Sequence, residues 1–145
     1  MLNYAKDQGA YPLYKAHKLD AGYDLSASET KLCEQGAVTL INTGIHIGIL
    51  PWQMAFVQPR SSTAKLGLLV ITGVIDAGYT GAIKLQVLNF SDKPVLVNAG
   101  QRLAQLIVHN NASYSDDTNL MSLDDLIANQ KLDNRGNNGF GSSGS

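Results

Sequence analysis

The stretch RGNNGFGSSGS, Arg135 to Ser145, carries chemistry in its residue types. Arg135 is a permanent cation with a fork of N–H donors, and the glycines let backbone N–H groups approach a phosphate closely. Ser142 adds a hydroxyl and Phe140 a flat face for a base. Gly139, Gly141 and Gly144 have the G-x-G-x-x-G spacing of a dinucleotide loop, but that loop works only with a helix opening behind the last glycine, and only Ser145 follows here. A flexible arm or an engineered linker is the expectation that remains, and Arg135 and Phe140 are what linkers lack.

Four further stretches hold polar groups at fixed spacings. In PRSSTAKLGL, Pro59 ends a strand, and Arg60, Ser61 and Ser62 bring a guanidinium, two hydroxyls and free N–H groups to one turn, a set suited to an oxyanion. Ser-rich turns after proline also arise for purely conformational reasons. In GVIDAGYTG, apolar residues deliver Asp76 to a strand end, where a carboxylate can serve as a general base, while Gly78 and Gly81 bracket Tyr79. Asp before Gly is equally standard hairpin chemistry. AGYDLSA places Asp24 two residues after Gly22, and GQRLAQLIV places Arg102 and Gln105 on a strand that begins at Gly100; read singly, each is structural. His17, His46 and His109 are isolated from any second ligand at metal spacing, and His46, between Ile45 and Ile47, reads as a sheet-face residue. No Walker A loop or G-x-S-x-G elbow occurs, so hydrolysis through a covalent intermediate is not indicated.

The elements that must position these groups read as short strands. Val38 and Leu40, then Ile45, Ile47 and Ile49, then Met54 and Phe56, then Ile83, Leu85 and Val87 each step by two, the period of a half-buried strand. Gly36, NTG, Pro51, Pro59, Gly73, AGYTG, SDKP and NAG punctuate them at the rhythm of a sandwich or barrel. The expected class is all-β: a jelly roll or distorted β-barrel of short antiparallel strands. One short helix is expected after Ser122, where Asp125 completes a capping pattern ahead of LDDLIANQ. The polar, Gly-rich segment beyond it cannot bury enough apolar area to offset its ordering entropy, so residues 1–134 are expected as one β-barrel domain and 135–145 as a flexible arm.

Composition excludes several classes. The 145 residues suit one domain, and a net charge of −1 with scattered Lys and Arg lacks the footprint of a nucleic-acid binder. The run LGLLVITGVI is too short to span a membrane. A single cysteine, Cys33, and no apolar stretch in MLNYAKDQGA give a cytoplasmic expectation.

Taken in order, AGYDL, PRSS, GVIDAGYTG, GQRLAQLIV and RGNNGFGSSG resemble the five motifs of the trimeric deoxyuridine triphosphatase (dUTPase) family, over Ala21 to Gly144. The resemblance implies cleavage of dUTP to dUMP and pyrophosphate with Mg²⁺, which limits uracil incorporation into DNA and supplies dUMP, on a jelly-roll homotrimer with shared active sites. Asp76 would activate the water that attacks the α-phosphorus, and Tyr79 would pack under the deoxyribose and leave no room for a 2′-hydroxyl. Gly73, Val74, Ile75 and Lys84 would read the uracil on a third-motif hairpin. Arg60, Ser61, Ser62 and Gln105 would hold phosphate oxygens, Arg135 would clamp the γ-phosphate, Phe140 would cover the uracil, and Gly141 and Ser142 would donate to the phosphates. Asp24 would place the magnesium through water, the triphosphate supplying its direct ligands. A short member would suit a phage or bacterium, in host cytoplasm if phage-encoded. Some phage relatives bind regulatory proteins, and the segment from His109 to Asn134 is where such a partner is expected. A dCTP deaminase shares the fold but needs a glutamate base, and no Glu follows Glu34.

Overall fold

The structure is a computed structural model that describes residues 2–112, 120–122, 124, 125 and 128. Its contacts divide the chain into two compact units, Met1–Tyr114 and Ser115–Ser145. The first unit runs β1 (Asn3–Lys6), β2 (Tyr23–Ser26), β3 (Lys31–Cys33), β4 (Val38–Asn42), β5 (Ile45–Gly48), β6 (Gln53–Pro59), α1 (Ser61–Ala64), β7 (Leu68–Ile71), β8 (Gly73–Asp76), β9 (Lys84–Asn89), β10 (Val95–Val97) and β11 (Arg102–Asn110). Every pairing is antiparallel. One sheet has the order β2-β11-β6-β8 and another β4-β9-β7, flanked by the pairs β1-β5 and β10-β3. Neighbours that are distant in sequence are what the crossovers of a jelly roll require.

The core lies between the sheets. Leu25, Ile41, Leu85, Leu103 and Leu106 have no exposed surface, and burial of each contributes about 1.5–3 kcal/mol. Ile45, Ile47, Ile83, Leu85 and Val87 are buried as their alternation predicts. Two strands present the opposite face from the one their largest side chains suggest. On β4, Val38 and Leu40 are each 52% exposed and Ile41 is buried; on β6, Ala55 and Val57 face the core and leave Met54 and Phe56 half-buried outside. Small side chains fit the inside of β6 because it is central, with β11 and β8 on either side, and Phe56 instead meets the His109 ring edge-on at 5.4 Å.

In the second unit, Asp124, Asp125 and Ala128 are helical. The Asp125 N–H donates to the Ser122 hydroxyl at 3.2 Å, as the capping pattern predicts. A one-turn helix, α1, also stands where PRSST reads as a turn. A buried bond ties it to β11, from the Thr63 hydroxyl to the Leu103 carbonyl at 2.6 Å.

Candidate active site

The backbone assembles motif one against motif four. In the β2–β11 register Asp24 stands opposite Gln105, and its backbone also bridges Tyr14. Gly22 permits this approach: a Cβ there would lie 3.0 Å from the Leu106 carbonyl oxygen and 3.1 Å from the Gln105 amide oxygen. The register shifts between Arg102 and Ala104, so two residues of β11 face one of β2. This bulge buries the consecutive Leu103 and Ala104 and leaves Arg102 outside.

There the Asp24 carboxylate accepts from two guanidiniums, Arg60 Nε on Oδ1 at 2.9 Å and an Arg102 nitrogen on Oδ2 at 3.1 Å. Arg60 also donates to the Arg102 carbonyl at 3.3 Å, and the Arg102 guanidinium lies over the Tyr14 ring at 4.8 Å. The Asp24 side chain is only 17% exposed, so its charge is spent largely on the arginines. Around this triad is an open cleft of about 300 Å³, lined also by Ser61, Gln105, Lys15 and Asp20. Three cations face two carboxylates, so the cleft as a whole favours an anion. Ser62 is exposed on α1 but does not line it.

Motif three builds a second cleft of about 300 Å³, where Gly73, Val74, Ile75, Asp76, Tyr79 and Lys84 meet Val57, Ile83 and Gln86. Val74 and Asp76 face outward, whereas Ile75 turns its side chain into the core and leaves only its backbone available. The turn closes with the Tyr79 N–H on the Asp76 carbonyl at 3.2 Å, and the Tyr79 hydroxyl donates to the Ala82 carbonyl at 3.2 Å. The ring lies directly on Gly81, where a Cβ would sit 2.5 Å from the Tyr79 oxygen.

The expected third-motif hairpin is corrected. β8 pairs with β6, while β9 pairs with β4 and β7, so the turn crosses between two sheets. The physical cause is Ile83, whose N–H donates to the Ile45 carbonyl at 2.8 Å and whose carbonyl accepts from the Thr43 N–H at 3.1 Å. Those bonds draw the chain after the turn onto β4 and β5 rather than back along β8.

The two clefts are distinct. Asp76 pairs with Met54, six residues before Arg60. At about 3.3 Å per strand residue this separates Asp76 from Arg60 by roughly 20 Å along β6, too far for both to touch neighbouring phosphates of one nucleotide. Arg135, Phe140, Gly141 and Ser142 lie outside the described residues. Tyr14, Lys15 and Asp20 were not singled out by sequence reasoning, and Arg102 had no assigned role. Tyr14 reaches the site through an isolated backbone bridge, which leaves no periodic signal, and Arg102 through a bulge, which breaks the strand period.

Among the described residues no three His, Cys, Asp or Glu side chains converge on one point. With Asp24 held between two arginines, the described residues make no cage of their own for a magnesium ion and would fit one only where phosphate oxygens supplied its main ligands. No helix among the described residues is long and apolar enough to cross a membrane.

Known proteins of one family resemble this chain. The family model described as dUTPase matches residues 10–144. The deoxyuridine 5′-triphosphate nucleotidohydrolase of Corynebacterium glutamicum is 34% identical over 134 residues, 90% of this chain and 85% of that protein. The enzyme of the same description from Mycobacterium marinum is 36% identical over 134 residues, with the same shares covered. Among solved structures, a point mutant of the Staphylococcus bacteriophage 80alpha dUTPase with dUpNHpp aligns with a TM-score of 0.79 at 24% identity, over 100% of this chain and 99% of that one. A dUTPase mutant from phage phi11 of S. aureus, described as coordinating a structural Mg(II) ion, aligns at 0.73 and 24%, over 85% and 96%. The likeness in fold bears out the jelly roll, and with the family model and the relatives spanning nine-tenths of its length, the chain belongs to the dUTPase family.

Proposed function

We propose that the chain hydrolyses dUTP to dUMP and pyrophosphate, with each active site shared between subunits of a homotrimer. The observation that carries the reading is the pair of incomplete clefts: one cationic and built from Asp24, Arg60, Ser61, Arg102 and Gln105, the other holding Asp76 and Tyr79 against the edge of β8. One chain keeps them apart along β6, and a second copy can bring the phosphate half of one to the sugar half of another.

In the shared site Arg60, Ser61, Ser62 and Gln105 bind phosphate oxygens, a task for dispersed cations and N–H donors. Once a phosphate arrives, it competes with Asp24 for Arg60. The exposed Asp76 carboxylate takes a proton from the water that attacks the α-phosphorus. Tyr79, with the hydroxyl end of its ring against Gly81, packs under the deoxyribose, and the backbone of Gly73, Val74 and Ile75 with Lys84 reads the uracil. The arm formed by 135–145, following a body of 1–134, supplies Arg135 to the γ-phosphate, Phe140 over the base, and Gly141 and Ser142 as donors. Magnesium, when bound through Asp24 and the phosphates, supplies neutralisation of the charge on the leaving pyrophosphate.

Trimerisation has support in an exposed apolar sheet face. Val38 on β4 and Leu69 on β7 flank Leu88 of β9, Leu40 and Ile71 flank the exposed Gln86 on the same face, and the four flanking side chains are 39–52% exposed. Exposed apolar surface of this kind marks an interface. A regulatory protein partner near 109–134 is a second reading, supported by phage dUTPases among the structures of similar fold that are described as controlling transfer of virulence genes. The cytoplasm, or host cytoplasm, is the proposed place of work.

Pyrophosphate release from dUTP, UTP, dTTP and dCTP tests the reading. Release from dUTP alone is expected; no release from dUTP overturns it, and ammonia from dCTP would assign a deaminase instead.

A further inference from the structure

His46 lies on β5 between Ile45 and Ile47, and because both isoleucines are buried, strand alternation turns the imidazole to the outer face. On that face Nδ1 is 2.7 Å from the Thr80 carbonyl oxygen and Nε2 is 3.1 Å from Asp7 Oδ1. A carbonyl and an ionised carboxylate only accept, and neutral imidazole has one N–H, so only the imidazolium satisfies both. Asp7 is fixed in turn, its N–H on the Gly44 carbonyl at 2.8 Å and its carbonyl accepting from the Ala10 N–H at 3.1 Å.

The other end of this bridge is the tip of the motif-three turn. Gly78, Tyr79 and Thr80 are exposed, and the bonds described above for Tyr79 stay within the turn. Among the described residues, the His46 bond is the one that reaches this tip from another element. Thr80 joins Tyr79 to Gly81, the platform on which the Tyr79 ring lies. Rotation of the Thr80 peptide therefore moves ring and platform together.

We propose that His46 is a positioning residue: spanning the Asp7 carboxylate and the Thr80 carbonyl, it fixes the turn that presents Tyr79 and thereby sharpens the rejection of a 2′-hydroxyl. The specificity half rests on the dUTP reading above; the hold on the turn does not. The His46 pKa is raised above its ordinary 6.5, first by the Thr80 carbonyl bond and then by the Asp7 bond, which together outweigh desolvation. Of the charged groups on the elements packed around it, Lys6 on β1, Asp7 after it, and Asp76 and Lys84 flanking the turn, Asp7 is the one whose field acts on the ring. A raised folded pKa means that the clamp's stabilisation is complete below the unfolded value of 6.5 and is lost as pH rises through the folded value.

The test uses the full chain without nucleotide, its Asp7→Asn variant and a His46→Gln variant, titrated by NMR between about pH 5 and 8 and somewhat beyond. The Tyr79, Thr80 and Gly81 amides should move with the His46 ring at one midpoint above 6.5, and Asp7→Asn should lower both midpoints together. Turn amides that do not follow the ring overturn the clamp. With nucleotides, the ratio of kcat/KM for dUTP over UTP, which cancels ionisations common to both, should fall roughly tenfold in His46→Gln, the factor that loss of part of a charge-assisted hydrogen bond produces. The same ratio should fall in the parent as pH rises through the midpoint. An unchanged ratio with co-titrating amides overturns the specificity role. Should His46→Gln fail to fold, Asp7→Asn and the parent's pH series decide both points. A parent that releases no pyrophosphate from dUTP would refute the substrate reading, while the amide titration still decides the clamp.

Discussion

Asp76 and Tyr79 stand three positions apart around a closed turn and face one cleft, yet they do different work in the proposed site. Asp76 contributes through proton transfer. Asp76→Asn should therefore leave nucleotide affinity near the parent's while turnover falls by roughly 10² to 10⁴, the usual effect of losing a general base; isothermal titration with a non-hydrolysable dUTP analogue beside a pyrophosphate assay checks the pair. Tyr79 contributes by exclusion, and a clash is relieved by truncation. Tyr79→Ala should admit UTP, and equal rejection of UTP by parent and variant would move sugar choice to another residue. Both residues are legible in GVIDAGYTG. The Asp24 triad is legible only in part, because Arg102 reaches Asp24 through a bulge between Arg102 and Ala104 and Tyr14 through an isolated bridge, neither of which follows a sequence period.

At the scale of elements, the cationic cleft around Asp24 depends on α1 standing against β11. A buried hydrogen bond from Thr63 to the Leu103 carbonyl secures that junction, with Thr63 only 1% exposed. Thr63→Val keeps the shape and removes the donor, leaving a buried carbonyl without its partner, so the expected loss is about 1–3 kcal/mol of unfolding free energy. Chemical denaturation measures it, and a weaker KM for dUTP with kcat held should accompany it, since Arg60 and Ser61 begin the same helical turn. The existence of most strands is legible in their alternation. Which face of β4 and β6 points inward is not, because Val38, Leu40, Met54 and Phe56 are larger and more apolar than some of the residues that the sheets bury in their place.

At the scale of the whole molecule, the separation of the two clefts makes a sharp expectation about assembly. Chains of 15.5 kDa carrying Asp76→Asn can be unfolded and refolded with chains truncated before Arg135. If the arm and Asp76 of one site come from different subunits, mixed trimers contain some sites with an intact arm and an intact Asp76, and activity reappears at the fraction random mixing sets. Sedimentation should report three chains. Mixed trimers verified by mass that stay inactive would place both groups within one chain and refute the exchange.

The sequence by itself determined the family and the residue types of the site. Five short motifs in a fixed order need only local chemistry to be recognised: a carboxylate after apolar residues, a guanidinium beside two hydroxyls, glycines where backbone or ring must come close. Only the tertiary structure decided which motifs share a cleft. That outcome depends on strand register, set by core packing and by bonds such as those that draw Ile83 onto Thr43 and Ile45, between residues some forty positions apart. The same long-range pairing turned Val38 and Leu40 outward, put an imidazole between Asp7 and Thr80, and left Asp76 and Arg60 at opposite ends of β6, because a strand's side chains alternate strictly while the choice of its neighbours is a property of the whole fold.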